Sequence, residues 1–304
     1  MNKELLYQNK KIFYRITGSG KPVILIHGFG EEAEVWNDQV EFLKNSFQLI
    51  IPDLPGSGQS EMIDDMSMEG MAEVIKTIVE TEASPELSSF PSLNSGTSEG
   101  GALDSHSSET TSVFANSKNP PLEGREAVCI IGHSMGGYIT LAFAEKYPEY
   151  GSAFGLFHST AFADSDEKKT TRRKGIKFIK QKGAFEFLKT ATPNLFSQQT
   201  KNENPELIEK QIASLNNFSS EALVSYYEAM MQRPDRTDVL RKAAVPVLFI
   251  MGKHDVAIPV EDGLKQCQLP EKSYFHILHQ SGHMGMLEEP DKSNLILENF
   301  LLEI

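Results

Sequence analysis

Hydrophobic and polar positions follow two rhythms along this chain. "KKIFYRIT" alternates, as a half-buried strand does, and a Gly-Ser-Gly turn joins it to "KPVILI". In the second run Val23 to Ile26 are apolar without a break, the pattern of a strand buried on both faces. "EVWNDQVEFLKNSF" then sets Val35, Trp36, Val40 and Leu43 at helical spacing. "QLIIP" is the next buried strand, and it runs into the Pro- and Gly-rich "DLPGSGQS". "SMEGMAEVIKTIVETE" predicts a helix, residues 127–131 a strand, and "MGGYITLAFAEKYPE" a helix. "SAFGLFHST", "VPVLFIMG" and "SYFHILHQ" predict further strands, and "PDKSNLILENFLLE" a closing helix. Strands alternating with helices predict an α/β fold with a doubly wound, mostly parallel sheet.

Two segments break the rhythm. Residues 83–124 hold eleven serines and only seven Leu, Val or Phe among 42 positions, with neither period. Such a stretch buries too little apolar surface to offset its ordering entropy, so it is expected to be a disordered surface insertion. Residues 161–244 are polar and helical in pattern and lie between two strands, which predicts a helical cap over the sheet. The expected organisation is a core of residues 1–160 plus 245–304, a cap of 161–244 before the last two strands, and the Ser-rich insertion inside the core.

Chemistry concentrates where the strand 127–131 ends. Gly132-His133-Ser134-Met135-Gly136 fits G-x-S-x-G between a buried strand and a helix, which is the context that makes the pattern specific. Gly132 and Gly136 permit a sharp turn that lifts the Ser134 hydroxyl above the sheet. A serine hydroxyl needs a base to become a nucleophile. Of eight histidines, His283 in "HQSGHMGMLEEP" stands after the last strand, in a Gly-flanked loop at the edge where α/β sites assemble. His27, ahead of Gly28, is read as structural near the site, and His106 lies in the insertion. His133 and His254 are read as shaping turns, and His158, His276 and His279 as packed or surface groups.

The base in turn needs a carboxylate to fix its tautomer. Asp255 in "LFIMGKHDVAIP" follows a buried strand, in a loop framed by Gly252 and Pro259. Asp164 and Asp166, after the preceding strand, are its rivals and lack such a frame. An oxyanion hole calls for two N–H donors. Met135 supplies one by position, and Phe29 in "HGFG", between Gly28 and Gly30, supplies the other.

Composition narrows the function classes. The 304 residues and 39% hydrophobic content suffice for a large core. The net charge of −13 argues against a nucleic acid partner. Two cysteines, Cys129 and Cys267, make no disulfide framework, and Cys129 reads as a small buried hydrophobe. No run is long enough for a membrane span and the N-terminal residues lack a signal-peptide core, so a cytoplasmic protein is the expectation.

"HGFG" with Trp36 downstream, "PDLPGSGQS", "GHSMGG", "GKHD" and "GHMG" together resemble, in order, the stations of the α/β-hydrolase superfamily, esterase- and lipase-like. The resemblance covers most of the chain outside the insertion and the cap. It implies an α/β-hydrolase fold with a triad Ser134–Asp255–His283, an oxyanion hole at Phe29 and Met135, and a structural role for Asp53. It implies no cofactor and no metal. A serine at position 134 sets the chain apart from dehalogenases and epoxide hydrolases, which use aspartate there. The insertion is far longer than the family's short link.

The expected activity is hydrolysis of a small-molecule carboxylic ester through an acyl-enzyme. A lactonase, thioesterase or C–C bond hydrolase with the same triad, acting on a small-molecule lactone in the first case, and a non-catalytic binding module are the alternatives. "SDEKKTTRRKGIKFIKQK" carries eight basic and two acidic residues, either a solvated helix face or a dock for a carboxylate-bearing substrate. "MMQRPDRTDVL" resembles the cap end of esterases and enol-lactonase-like hydrolases. Phe185, Phe187, Phe196, Phe218, Tyr226 and Tyr227 are read as the cap's own core, with an acyl pocket as the other reading.

Overall fold

The computed structural model describes residues 1–82 and 127–304, so the expected Ser-rich insertion lies outside the described residues. An eight-stranded sheet runs through the centre, in the order β1-β2-β4-β3-β5-β6-β7-β8. The strands are β1 (Asn2–Tyr7), β2 (Lys10–Thr17), β3 (Pro22–Ile26), β4 (Gln48–Pro52), β5 (Val128–His133), β6 (Gly151–Phe157), β7 (Val247–Gly252) and β8 (Ser273–Leu278). β1 and β2 are antiparallel, β2 meets β4 antiparallel, and every later pairing is parallel.

The sequence pattern missed β1, whose positions are exposed or half-buried throughout. It pairs with β2 through a two-residue turn in which Gln8 and Asn9 have φ of 49° and 64°. Positive φ at both central residues is what a type I′ hairpin requires, and Asn tolerates it.

The parallel strands β3, β5 and β7 bury both faces, and alternate residues go to opposite sides. Ile24, Ile26, Val128 and Ile130 share a core with residues of α2 (Met68–Glu82) and α3 (Met135–Lys146). Val23, Leu25, Cys129 and Ile131 pack on the other face with Leu43 of α1 (Asn37–Leu43) and with Leu297 and Phe300 near the chain's end. Each such aliphatic side chain contributes roughly 1.5–3 kcal/mol by leaving water. A one-residue slip of β3 or β5 would exchange the two sets, so the register is strongly held.

Between β6 and β7 the chain leaves the sheet as α4 (Asp166–Lys182), α5 (Ala184–Ala191), α6 (Gln198–Glu203), α7 (Pro205–Ala213), α8 (Ser220–Gln232) and α9 (Thr237–Arg241). This is the helical cap inserted before the last two strands. Ser165 caps α4 by accepting from Lys168 N at 3.2 Å. Asp166 and Glu167 in the first turn and Lys180 and Lys182 in the last suit the helix dipole. Gly183, at φ 90°, ends α4 and turns the chain into α5. The cap is tied to the core by buried Arg236, which pairs with Glu69 and, at 2.9 Å, with Glu145. Tyr226 adds a hydrogen bond from its hydroxyl to Pro55 O at 2.5 Å. The chain closes with α10 (Val260–Gln266), α11 (Gly285–Glu288) and α12 (Pro290–Glu303). No described helix is long and apolar enough to cross a membrane.

Candidate active site

The strand order changes direction between β3 and β5. β3 leads to β4 on one side, while β5 leads to β6 on the other. A crevice opens at such a point outside the carboxyl ends of the strands. The loop after β3 carries Gly28 to Glu31, and the turn after β5 carries Ser134.

Ser134 sits at φ 50° and ψ −113°, a conformation a serine adopts only under constraint. Three hydrogen bonds supply it. Ser134 N donates to Phe157 O at 2.9 Å, while Ser134 O accepts from Ser159 Oγ at 2.7 Å and from Gly137 N at 3.0 Å. The flanking glycines are required by space: a Cβ on Gly136 would lie 2.5 Å from Ile26 O, and one on Gly132 would overlap the Gly136 backbone. Ser134 is half-buried, while its neighbours His133 and Met135 are fully buried.

A line of hydrogen bonds runs back from its hydroxyl. Ser134 Oγ lies 2.9 Å from His283 Nε2, and His283 Nδ1 lies 2.7 Å from Asp255 Oδ2. An ionised carboxylate only accepts, so Nδ1 carries the proton and Nε2 is left to accept from the serine, as a base must. Asp255 follows β7, and its Oδ1 accepts from Ala257 N at 2.8 Å and Ile258 N at 2.9 Å. His283 is held by its own N–H, which donates to Leu195 O of the cap at 2.6 Å. Glu288 Oε1 braces the same loop by accepting from Gly282 N at 2.8 Å.

Burial by itself would disfavour the His283 cation. The charge and hydrogen bond of Asp255, with Glu31 and Glu288 nearby, outweigh it and hold the His283 pKa above its ordinary value. For Asp255 burial pushes upward, but the His283 charge and the contacts of the His158 and His283 rings with its carboxylate keep it well below the usual carboxylate range.

The rival carboxylates are placed elsewhere. Asp164 is buried and accepts from Arg172 Nε at 2.5 Å, Arg172 Nη2 at 3.2 Å and Arg233 Nη1 at 2.8 Å. Asp166 is exposed in the first turn of α4. Asp53 accepts from Ala33 N at 3.0 Å and Gln59 N at 3.2 Å, bracing the loops after β3 and β4. His27 accepts from Leu54 N at 3.0 Å through Nε2 and donates Nδ1–H to Gly28 O at 2.9 Å, and burial keeps its pKa low. Among the described residues, no hydrogen bond is donated by Phe29 N or Met135 N. Gly28 N, by contrast, is already given to Glu31 Oε2 at 2.7 Å.

Sequence reasoning missed several members of this cluster. His158, expected as a packed or surface group, is buried beside Asp255, with Nδ1 3.1 Å from its Oδ2. His133, expected only to shape the turn, places Nδ1 2.9 Å from Glu31 Oε2 and Nε2 2.9 Å from His283 O. Glu31 was not singled out at all. Each meets partners far away in sequence; only their positions at or just past the ends of strands β3, β5 and β6 hinted at the site. His254 and His279 are exposed and His276 is half-buried.

A cleft of about 150 Å³ opens over Ser134 and His283, walled by Phe29, Glu31, Tyr138, Ala257 and Ile258 from the core and Arg172, Leu195, Tyr227 and Met230 from the cap. Phe29 stacks on Tyr227 with ring centroids 4.3 Å apart, and Phe187 packs edge-on to both. The aromatic residues of α5 and α8 are therefore partly shared with the core, and Phe196 belongs to the sheet's other face. Arg172 is clamped by Asp164 through Nε and Nη2, leaving Nη1 without a hydrogen bond among the described residues. His158, Asp255 and His283 offer metal-type ligand atoms within 4.8 Å of one another, but these atoms already serve each other as hydrogen-bond partners.

Residues 23–293 match the model of the alpha/beta hydrolase family. A 2-hydroxy-6-oxononadienedioate/2-hydroxy-6-oxononatrienedioate hydrolase of Paraburkholderia phymatum is 24% identical, over 96% of this chain and 91% of that one. A thermophilic esterase from Thermogutta terrifontis, with malate bound, superposes with a TM-score of 0.80 at 25% identity, over 100% of this chain and 98% of that one. The enol-lactonase of Burkholderia xenovorans shares the fold at a TM-score of 0.77 and 18% identity, over 99% of this chain and 100% of that one. With the family model spanning both the elbow at Ser134 and the loop at His283, the chain belongs to the alpha/beta hydrolase family.

Proposed function

We propose that the protein is a serine hydrolase that cleaves a carboxylic ester through an acyl-enzyme, with Ser134, His283 and Asp255 as its catalytic triad. The observation that carries this reading is the unbroken hydrogen-bond line, 2.9 Å from Ser134 Oγ to His283 Nε2 and 2.7 Å from His283 Nδ1 to Asp255 Oδ2. Ser134 Oγ attacks the carbonyl carbon as its proton passes to His283 Nε2. The carbonyl electron pair moves onto oxygen, where Phe29 N–H and Met135 N–H serve as the oxyanion hole. Collapse expels the alcohol, which takes the proton from His283. A water, deprotonated by His283, then attacks the acyl carbon; the acid leaves and Ser134 recovers its proton. Asp255 holds the Nδ1–H tautomer throughout and stabilises the imidazolium.

Arg172 favours a narrower substrate class, an ester that also bears a carboxylate. Two guanidinium charges, Arg172 and Arg233, face the single charge of Asp164, which leaves the cap side of the cleft net positive. Arg172, in the wall of the cleft and with Nη1 free of hydrogen bonds among the described residues, is the group to meet an anionic substituent. The dioate substrate in the name of the Paraburkholderia relative and the malate bound to the Thermogutta esterase support the same chemistry, and the former keeps C–C bond hydrolysis as the second reading.

Turnover of p-nitrophenyl acetate tests the main reading, with Ser134→Ala expected to lose on the order of 10⁶ in kcat. No turnover of any ester, lactone, thioester or C–C substrate by the folded wild-type protein would favour a binding module. Preference for a p-nitrophenyl hemisuccinate over the neutral acetate, erased in Arg172→Met, tests the narrower class.

A further inference from the structure

His158 is the feature the triad leaves unexplained. It is fully buried at the end of β6 and holds φ at 48°, a left-handed conformation that costs a non-glycine residue energy. Room is made for its ring: a Cβ on Gly252 would lie 2.7 Å from its Cε1, and a Cβ on Gly285 would strike its Nε2. Its Nε2 is buried with no hydrogen-bond partner. Its Nδ1 faces two groups at once, Asp255 Oδ2 at 3.1 Å and the N–H of Gly252 at 3.1 Å.

These contacts admit two neutral tautomers. With the proton on Nε2, a buried N–H would have no acceptor, and two lone pairs, on Nδ1 and on Asp255 Oδ2, would face each other. With the proton on Nδ1, the imidazole donates to an ionised carboxylate, and the bare Nε2 lone pair and the Gly252 N–H are the groups left wanting. Each tautomer leaves one buried donor unmet, but only the one with the proton on Nδ1 gains a hydrogen bond to a charged acceptor, about twice as strong as a neutral one, and avoids setting two lone pairs against each other.

We propose that His158 is a positioning residue for the triad, donating its Nδ1–H to the same Asp255 oxygen that receives His283. Asp255 then takes four donors, two backbone N–H groups on Oδ1 and two imidazoles on Oδ2. The second imidazole has two effects. It restrains the carboxylate against rotation, and it draws off part of the negative charge that would otherwise raise the basicity of His283. The other charged and titratable groups that face this cluster are Glu31 from the loop after β3, His133 at the end of β5, and Glu288 from α11. Burial first, against the pull of Asp255, lowers the His158 pKa to about 4, so the ring stays neutral across the range in which the enzyme would work. The inference rests on the triad reading above for its catalytic meaning, but the tautomer can be read without any activity.

Protein labelled with ¹⁵N-histidine gives the first readout by long-range ¹H–¹⁵N correlation, with the signals assigned by their loss in His158→Asn. The expected result is a protonated Nδ1 and a bare Nε2 in His158. A protonated Nε2 would overturn the proposal whether or not the protein hydrolyses esters, while correct tautomer data with no labelling of Ser134 would leave the proton arrangement standing and remove the triad reading. Kinetics give the second readout. His158→Leu keeps the bulk but loses the donor; His158→Asn keeps a donor near the Nδ1 position and tolerates the left-handed backbone. With folding checked by circular dichroism, the Leu variant should lose roughly 10- to 100-fold in kcat, the scale of a small misplacement in an active site, with KM little changed. Its acid limb should move to higher pH, as His283 becomes more basic. The Asn variant should recover most of both. Equal behaviour of the two variants, or a Leu variant within twofold of wild type with an unmoved limb, would overturn the proposal.

Discussion

Two buried aspartates stand one strand apart on the same edge of the sheet. Asp164 follows β6, and Asp255 follows β7. Burial raises the cost of both charges, and both are held well below the usual carboxylate range by their partners. The partners differ. Asp164 meets two guanidiniums that remain cations at any pH the fold survives, so its charge is spent on binding the cap to the core edge. Asp255 meets two imidazoles, one of which can gain and lose a proton within reach of a serine. A buried carboxylate thus becomes structural or chemical through what faces it, and the strand that carries it does not decide.

Substitution by asparagine sharpens this contrast most. Asp255→Asn should lower kcat by up to roughly 10⁴, because the amide favours the wrong His283 tautomer. KM should move far less, since the cleft walls and the backbone donors remain. Asp164→Asn should leave kcat per folded molecule nearly intact and fail in stability, by about 3–5 kcal/mol, since two buried arginines lose their counter-charge. Denaturant unfolding of both variants reads the difference; a crippled Asp164→Asn enzyme with normal stability would reverse the assignment. The pH dependence has a defined sign. The Asp164 pKa is depressed by folding, so its contribution is complete above the unfolded value of about 3.9 and is lost as pH falls through the lower folded value. The stability gap between wild type and Asp164→Asn should therefore persist down to about pH 4 and close below it.

A smaller effect separates binding from chemistry on the cap side. Arg172→Met should raise KM for a hemisuccinate ester by about tenfold, the order of one exposed-edge charged hydrogen bond, and leave KM for the neutral acetate unchanged. Its guanidinium also pairs with Asp164, so the neutral ester is the control for any general loosening of the cleft. The mildest probe is the acid limb of kcat/KM in the wild-type enzyme. Because Asp255, Glu31 and Glu288 outweigh burial at His283, activity should fall as pH drops through a value above the ordinary histidine pKa of about 6.5. A limb centred well below that value would show that burial wins and that Asp255 does not support the cation as described.

The same contrast explains what was legible in the sequence. β3, β5 and β7 are short apolar runs between Gly- and Pro-rich turns, and their burial on both faces makes the signal local. The elbow at Ser134 was legible for the same reason, because strand, glycines and helix follow one another directly. The order of Asp255 and His283 after the last two strands was legible from topology. β1 was not, because an edge strand with no buried face leaves no apolar rhythm to read. His158 was not, because what gives it meaning is an aspartate 97 residues on. The pair of Glu31 and His133 spans 102 residues and was hidden in the same way. The arginines that occupy Asp164 lie 8 and 69 residues away, and only the folded cap removes that carboxylate from the list of candidates for the triad.

The chemistry proposed for the site turns on Ser134 being an activated nucleophile. A fluorophosphonate probe, followed by peptide mapping of the whole chain by mass spectrometry, tests it most directly. A single adduct is expected, on the peptide containing Ser134, formed rapidly in the wild-type protein, slowly in Asp255→Asn, and not at all in Ser134→Ala. An adduct on another serine, or labelling of Ser134→Ala at the wild-type rate, would contradict it.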